Sequence, residues 1–331
     1  MKKIEHVLIA SDFREPWKPG YYFKKGLERN NIRVSTFDAL TAKNPYHDLL
    51  EAVRAAKADI LLYVKDYGLK PEWLLEVKKK GTRLVQWYID AVMRDWLPPF
   101  VEVADIFFTM SEGLVEEFRK INPVVFWLTQ AFEPFFFQIN RVTEEDVRTY
   151  STDVTFTGTL GSEKRPYYLV RREYLERVMA EGFQLKWWGP RLPRKLSTLP
   201  LIFGRLGRAY GGRFVYGEEF AKVARLSKVF LALDALPHIR KSMSSRMFTA
   251  VGCGAFYLCK YVDGIEEVLE PDREIVTFND AGEMIEKIKY YRNKDEERRK
   301  ISEAGRRRVL SEHTYQARTR EMLDIIERVL D

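Results

Sequence analysis

Histidine and cysteine are scarce: 331 residues carry four of the first and two of the second. His6, His47, His238 and His313 are scattered, with no His-x-x-x-His pair, so a zinc enzyme has no ligand set and no metal site is expected. His6 reads as a strand-edge residue, His47 as a surface residue before a helix, and His313 as a cap within the closing helices. Cys253 and Cys259 lie in apolar surroundings, which argues against a disulfide and fits a reducing cytoplasm. No apolar run approaches the ~20 residues that cross a bilayer. The opening Met-Lys-Lys-Ile-Glu-His-Val-Leu-Ile-Ala reads as a first strand rather than a signal peptide. Gly-x-Ser-x-Gly, a Walker loop and a strand-following Gly-x-Gly-x-x-Gly are missing. Hydrolase, NTPase and dehydrogenase readings therefore lose their support.

What is present suits two α/β domains. The chain is 46% apolar and 31% charged, with a net charge of +7. The heavy use of Lys, Arg and Glu resembles a thermophile-type surface. A basic balance admits nucleic acid, anionic lipid or phosphorylated small molecules as partners. The charge is spread along the chain, which keeps the small-molecule and lipid options. Aromatic interleaving for base stacking is poor, so no nucleic acid is expected.

Strand-like runs at Val7–Ala10, Ile32–Phe37, Ile60–Val64, Leu84–Tyr88, Ile106–Thr109 and Val124–Leu128 alternate with helical stretches at Tyr21–Arg29, Asp48–Lys57, Pro71–Lys80, Val92–Val103 and Gly113–Lys120. Apolar strands alternating with helices predict a parallel sheet covered on both faces. The chain then turns polar and irregular to about Ser151. The pattern restarts with strands at Asp153–Phe156, Phe183–Trp188, Lys228–Leu233, 255–259 and Glu274–Phe278. Helices are expected at Arg165–Ala180 and Glu218–Leu226, and residues 280–330 are almost wholly helical. Two tandem doubly wound, Rossmann-like domains are expected, 1–150 and 151–331. The tail is helical, with the last helix packing back on the first domain. In such sheets ligands bind beyond the carboxyl ends of the strands.

The stretch from His238 to Phe256 sits between two apolar runs, as loop, short helix and Gly turn. Ser242, Ser244 and Ser245 are good helix-start residues. A helix N-terminus between parallel strands attracts anions, and Arg240, Lys241 and Arg246 add cations. Either the serines only cap an ordinary helix, or the stretch cradles a diphosphate.

Several segments in order now resemble a known family. Asp153-Val-Thr-Phe-Thr-Gly-Thr-Leu-Gly161 with Lys164-Arg165, Gly217–Leu233, Ser245–Phe256, Asp280-Ala-Gly-Glu-Met284, Tyr290-Tyr291 and Glu312–Arg318 resemble the donor domain of GT-B glycosyltransferases. The combination is similar to the spore-maturation CgeB-like branch of the group 1 glycosyltransferases. Likeness is weaker over 1–150, where Val64–Gly68, Gln86–Asp90 and Gln130–Pro134 look like the first domain.

The resemblance implies GT-B architecture and glycosyl transfer from a nucleotide diphosphate sugar, with the nucleotide (UDP, GDP or dTDP) open. It also implies no tightly bound cofactor, because a helix dipole and cations neutralise the leaving group without metal. The first domain would hold a glycan, protein or lipid acceptor and the second the donor. On the donor side the expected residues are Gly158, Arg165, Trp188, Arg191, Arg240, Ser244, Ser245, Arg246 and Thr249. Family members usually carry at the Thr249 position a Glu that grips the ribose. Asp90 is the candidate general base, or else a helix N-cap. His238 is a candidate for touching donor phosphates or sugar. Asp12 and Trp17 are candidates on the acceptor side, with capping of the first helix the other role for Asp12. The basic amphipathic stretch 191–213 reads either as a solvated helix with a buried face or as a peripheral contact with the inner face of a membrane. Two other functions stay open: a catalytically silent GT-B module that binds nucleotide or glycan, and a sugar-nucleotide epimerase using Asp234, His238 or Asp263.

Overall fold

The computed structural model describes residues 3–160, 168–190, 199, 203–234 and 236–330. The chain forms two compact units. The first comprises residues 1–133, 238–243 and 311–331, the second 134–237 and 244–310.

The first unit holds a six-stranded parallel sheet: β1 (His6–Ala10), β2 (Arg33–Phe37), β3 (Ile60–Tyr63), β4 (Arg83–Tyr88), β5 (Ile106–Thr109) and β6 (Val125–Trp127), in the order β2-β1-β3-β4-β5-β6. Strands β1, β3 and β5 are buried along their whole length, as apolar runs in a sheet covered on both faces must be. Alternate residues supply two cores. Leu8, Leu61, Leu84 and Tyr88 face one, and Val7, Ile9, Leu62 and Trp87 the other.

Helices α1 (Pro19–Arg29), α2 (Pro45–Ala56), α3 (Pro71–Lys79) and α4 (Pro98–Val103) each begin with proline, whose fixed φ and missing N–H suit a first helical position. The helix expected from Val92 starts only at Pro98, because Pro98 and Pro99 have no N–H to bond back to the carbonyls of the preceding turn, so the helical ladder cannot extend upstream of them. A single-turn helix, α5 (Val115–Arg119), precedes β6.

Across the second unit run α6 (Glu144–Tyr150), β7 (Thr152–Thr157), α7 (Val170–Ala180), β8 (Leu185–Trp188), α8 (Arg205–Arg208), α9 (Gly217–Leu226), β9 (Ser227–Ala232), α10 (Ser245–Gly252), β10 (Tyr257–Lys260), β11 (Val276–Phe278), α11 (Ala281–Tyr291) and α12 (Asp295–Glu312). Its sheet is parallel, in the order β11-β10-β9-β7-β8. Tyr174, Leu175 and Val178 of α7 and Met284, Ile285 and Ile288 of α11 pack with Val154, Phe156 and Leu231 in one core. On β9 and β10, Phe230 and Tyr257 stack with ring centroids 5.8 Å apart.

The segment expected to be irregular up to Ser151 instead contains α6. Its acidic run complements the helix start, and Thr143 and Asp146 close a capping box. The last helix, α13 (Tyr315–Val329), lies in the first unit against α1. There a Cβ on Gly26 would stand 2.5 Å from the Tyr315 carbonyl oxygen, so only glycine allows the approach. His6 is not at a sheet edge: β1 is flanked on both sides, and the buried ring bonds Ser35 Oγ through Nε2 at 2.9 Å. His313 Nδ1 pairs with Arg318 Nη2 at 2.7 Å.

Candidate functional site

The strand order of the second unit reverses between β7 and β9, which opens a crevice beyond their carboxyl ends. Arg171, on the first turn of α7, straddles that crevice. Its side chain is 3% exposed, donating from Nε to the Leu233 carbonyl after β9 and from Nη1 to the Thr159 carbonyl after β7, both at 2.9 Å. The guanidinium carbon lies 3.9 Å from the centroid of the Tyr168 ring. Burial, and next the Arg246 cation, push the Arg171 pKa down, with Tyr168 and Asp234 opposing.

Arg246 is the second residue of α10. Its Nη1 is buried without a hydrogen-bond partner among the described residues, and its guanidinium carbon lies 5.9 Å from the Phe156 ring. Gly158 has φ 141°, and a Cβ there would lie 3.3 Å from Arg246 Nη2 and 3.5 Å from Arg171 Nη1. Glycine therefore meets a backbone demand and leaves room beside two cations.

Ser244 occupies the N-cap of α10 but makes no side-chain cap bond, and its Oγ is buried and unpartnered among the described residues. The capping role expected of the serines is thus not what Ser244 does. Ser245 opens the helix, whose first N–H groups have no intrahelical acceptor. Thr249 Oγ1 donates to the Ser245 carbonyl at 2.9 Å, which occupies its hydrogen. The Tyr257 hydroxyl is also buried without a partner among the described residues, and burial pushes it well above its usual pKa, Asp234 adding to the effect.

Gly158, Ser244, Ser245 and Arg246 are thus brought together. Trp188 stands at the end of β8, where its carbonyl accepts the Gly158 N–H at 2.8 Å. Its ring is buried, against Tyr150 at 5.7 Å and with Arg213 5.7 Å from its centroid. Arg165 and Arg191 lie outside the described residues. Of the stretch 191–213, the part from Phe203 onward contains a short helix. Leu206 enters the core there, Phe203 is exposed and Arg213 pairs with Glu219.

His238 and Arg240 fall in the first unit, and Ser244–Arg246 in the second. His238 is exposed. Arg240 Nε is ion-paired to Glu112 Oε2 at 2.7 Å, and the Gly113 N–H donates to the Arg240 carbonyl at 3.0 Å. Lys241, at φ 49°, also pairs with Glu112, at 3.1 Å, and lies 4.5 Å from the Trp127 centroid.

The first unit has its own switch point, between β1 and β3. Asp12 follows β1 and is 1% exposed, ion-paired to Arg14 and Lys18, each at 2.9 Å. The Arg14 hydrogen bond, against burial and with help from Lys18, holds its carboxyl well below the usual range. It does not cap α1, whose N-cap is Lys18. Asp90 follows β4 and caps no helix; its carboxylate pairs with Lys65 at 2.7 Å. Lys65 has φ 57° and Tyr67 φ 35°, two unfavourable backbone positions in one short loop, of a kind that clusters at functional sites. Trp17 is 40% exposed.

Sequence reasoning missed Arg171. The signal was there: Arg171, Tyr174, Leu175 and Val178 share the buried face of α7, so a charge occupies a core position.

Two Rossmann-like parallel-sheet units with a helical C-terminal segment define a GT-B architecture. Residues 170–324, just under half of the chain, match the family model described as "Glycosyl transferase-like". No curated protein sequence matches the chain. Among solved structures, the sucrose-phosphate synthase of Thermosynechococcus elongatus superposes with TM-score 0.69 at 13% identity, covering 98% of this chain and 99% of that one. An α-glucosyltransferase in complex with UDP gives 0.68 at 13% identity, covering 98% and 100%. Anabaena Alr3699/HepE in complex with UDP-glucose gives 0.66 at 11%, covering 98% and 99%. At such identities the likeness carries the fold. Among the described residues, no helix is long and apolar enough to cross a membrane, and no cluster of His, Cys, Asp or Glu could hold a metal.

Proposed function

We propose that the chain moves a glycosyl group from a nucleoside diphosphate sugar to an acceptor, with the second unit holding the donor. The observation that carries this is Arg246 Nη1, buried near Arg171 with no hydrogen-bond partner among the described residues. Cations so placed fit a ligand with several anionic oxygens, as a diphosphate has. Ser244 Oγ and the free N–H groups opening α10 add donors. As the bond from the anomeric carbon to the diphosphate breaks, its electron pair leaves with the diphosphate, where Arg246 and the helix terminus meet the new charge. The acceptor oxygen forms the new bond and releases its proton to a base, for which Asp90 is our candidate. Metal independence is part of the proposal, since guanidiniums and a helix terminus supply the positive charge. UDP is the first nucleotide to test, because the α-glucosyltransferase and HepE complexes contain UDP and UDP-glucose. The narrower likeness to the CgeB-like branch rests on motif order alone.

A second reading, a silent nucleotide- or glycan-binding module, is favoured by Thr249. One hydroxyl, already donating to Ser245, replaces a carboxylate able to accept from two ribose hydroxyls. Calorimetric titration with UDP, GDP and dTDP, alongside hydrolysis of the matching nucleotide sugars without acceptor, separates the two. Nucleotide binding with hydrolysis or transfer supports the enzyme; binding without either supports the silent module. Binding of none overturns the donor-site assignment.

A further inference from the structure

A second basic concavity lies at the opposite end of the second unit's sheet. Strands β9 and β10 begin there, at Ser227 and Tyr257. It measures about 420 Å³, and its lining includes Arg225, Lys228, Gly254, Arg298, Arg299 and Arg306 together with the carboxylates Asp295 and Glu303. That volume suits a small ligand rather than a lone water.

Most of its cations are already matched. Lys228 pairs with Asp153 at 3.1 Å and Arg299 with Glu303 at 3.3 Å. Arg298 pairs with Asp295. Arg225 and Arg306 are the exceptions. Arg225 has no hydrogen-bond or ion-pair partner among the described residues, and the one hydrogen bond of Arg306 runs from Nε to the Gly252 carbonyl, at 3.2 Å. Both side chains converge on Gly254, where an added Cβ would stand 3.5 Å from Arg306 Cδ and 3.7 Å from Arg225 Nε. Gly254, at φ 89°, leaves that floor open. Two neighbouring guanidiniums with no carboxylate ion-paired to either among the described residues repel, and an anion bridging both turns that repulsion into charge-assisted hydrogen bonds.

We propose that Arg225 and Arg306 form a second anion site, separate from the cradle at Arg246, that takes a phosphate or diphosphate group of a small molecule. A flat solvated surface would explain the charges, but not a concave floor kept clear by glycine with two unmatched guanidiniums above it. The site abuts the carboxyl end of α10, whose amino end opens the cradle, and Arg306 bonds the last carbonyl of that helix.

The test uses the full chain carrying Arg246→Ala, which weakens the cradle and leaves the second site intact. Calorimetry with inorganic pyrophosphate and with inorganic phosphate reads the site directly. Binding is expected, and Arg225→Gln with Arg306→Gln should weaken it at least about tenfold, as loss of charge-assisted hydrogen bonds does. Should the double variant fail to fold by circular dichroism, Arg225→Gln alone serves, because Arg225 has no partner to lose. A third arm uses phosphatidylserine vesicles. Binding to vesicles without binding to pyrophosphate or phosphate overturns the small-molecule site in favour of a lipid surface. Absence of binding to all three probes, or binding undiminished by the Arg225 and Arg306 changes, overturns the proposal outright. None of these outcomes depends on nucleotide binding at Arg246, so the two sites fail or stand separately.

Discussion

Arg171 and Arg246 flank Gly158: a Cβ at that glycine would lie 3.5 Å from Arg171 Nη1 and 3.3 Å from Arg246 Nη2. The two cations are not equivalent. Arg171 is occupied by the carbonyls of Leu233 and Thr159, at the ends of the two strands that define the switch point. Arg246 keeps a buried Nη1 without a partner among the described residues. Arg171 thus braces the crevice, while Arg246 is the cation to which our proposal assigns the donor diphosphate. Like charges held together out of water are costly unless something anionic joins them.

Arg246→Ala is expected to lower UDP affinity, and turnover with the preferred donor, by roughly 10- to 100-fold, the effect of losing a charge-assisted hydrogen bond. Its melting temperature should stay within a few degrees of the parent, because no hydrogen-bond partner of Nη1 among the described residues is orphaned. Titration calorimetry beside a thermal melt checks both halves. Unchanged affinity would remove Arg246 from the site.

Ser244→Ala separates capping from ligand binding. Loss of a true N-cap costs about 1 kcal/mol of stability. Ser244 makes no cap bond, and its buried Oγ has no partner among the described residues, so the variant should be as stable as the parent or slightly more so. Nucleotide affinity should fall nonetheless. A stability loss near 1 kcal/mol in urea, with affinity intact, would restore the capping role.

The acid limb of stability should depend on Asp12. Its carboxyl is held below the usual range, chiefly by Arg14, so the unfolded state binds the proton more readily than the folded one. The ion pairs therefore contribute fully above the unfolded value of about 4, and the contribution is lost as pH falls below it. Melting curves from pH 6 down to pH 2 should drop more steeply for the parent than for Asp12→Asn. Parallel curves would contradict the assignment.

These expectations reach past what the sequence made legible, and the physics of the gaps is specific. Val7–Ala10 and Ile106–Thr109 were readable because a strand buried on both faces is a short continuous apolar run. Ser244 and Arg246 were readable as candidates for a cradle because they stand beside a Gly turn between two such runs. Arg171 was not, because arginine is ordinarily assigned to a solvated face. Only the positions 171, 174, 175 and 178, taken together, reveal that it points inward. Helix α6 was hidden in a charged run that resembles a linker until Thr143 and Asp146 are seen to close its first turn. Lys241 and Arg240 looked like cradle cations by proximity in the chain, yet Glu112, about 130 residues earlier, holds both.

Chelation tests the charge balance of the cradle. If Arg171, Arg246 and the start of α10 supply the positive charge, UDP affinity and transfer rate should be the same, within error, in millimolar EDTA and in millimolar magnesium. A loss of more than about tenfold on chelation, reversed by magnesium, would mean that a cation completes the site.

Asp90 carries the most demanding prediction, because it belongs to the first unit and its proposed partner is a hydroxyl that is absent from every contact above. Lys65 fixes the carboxylate at 2.7 Å and is itself held at φ 57°. A general base so positioned contributes about 10²- to 10⁴-fold. Asp90→Asn keeps the shape and removes the proton acceptor, so kcat for transfer should fall by that order while UDP affinity stays unchanged. Lys65→Met should preserve the base but loosen its aim, raising the acceptor KM more than it lowers kcat. The pH dependence of kcat should lose its acidic limb in Asp90→Asn and keep it in Lys65→Met. Equal, pH-independent losses in the two variants would show that the pair is only a structural tie between the loops after β3 and β4.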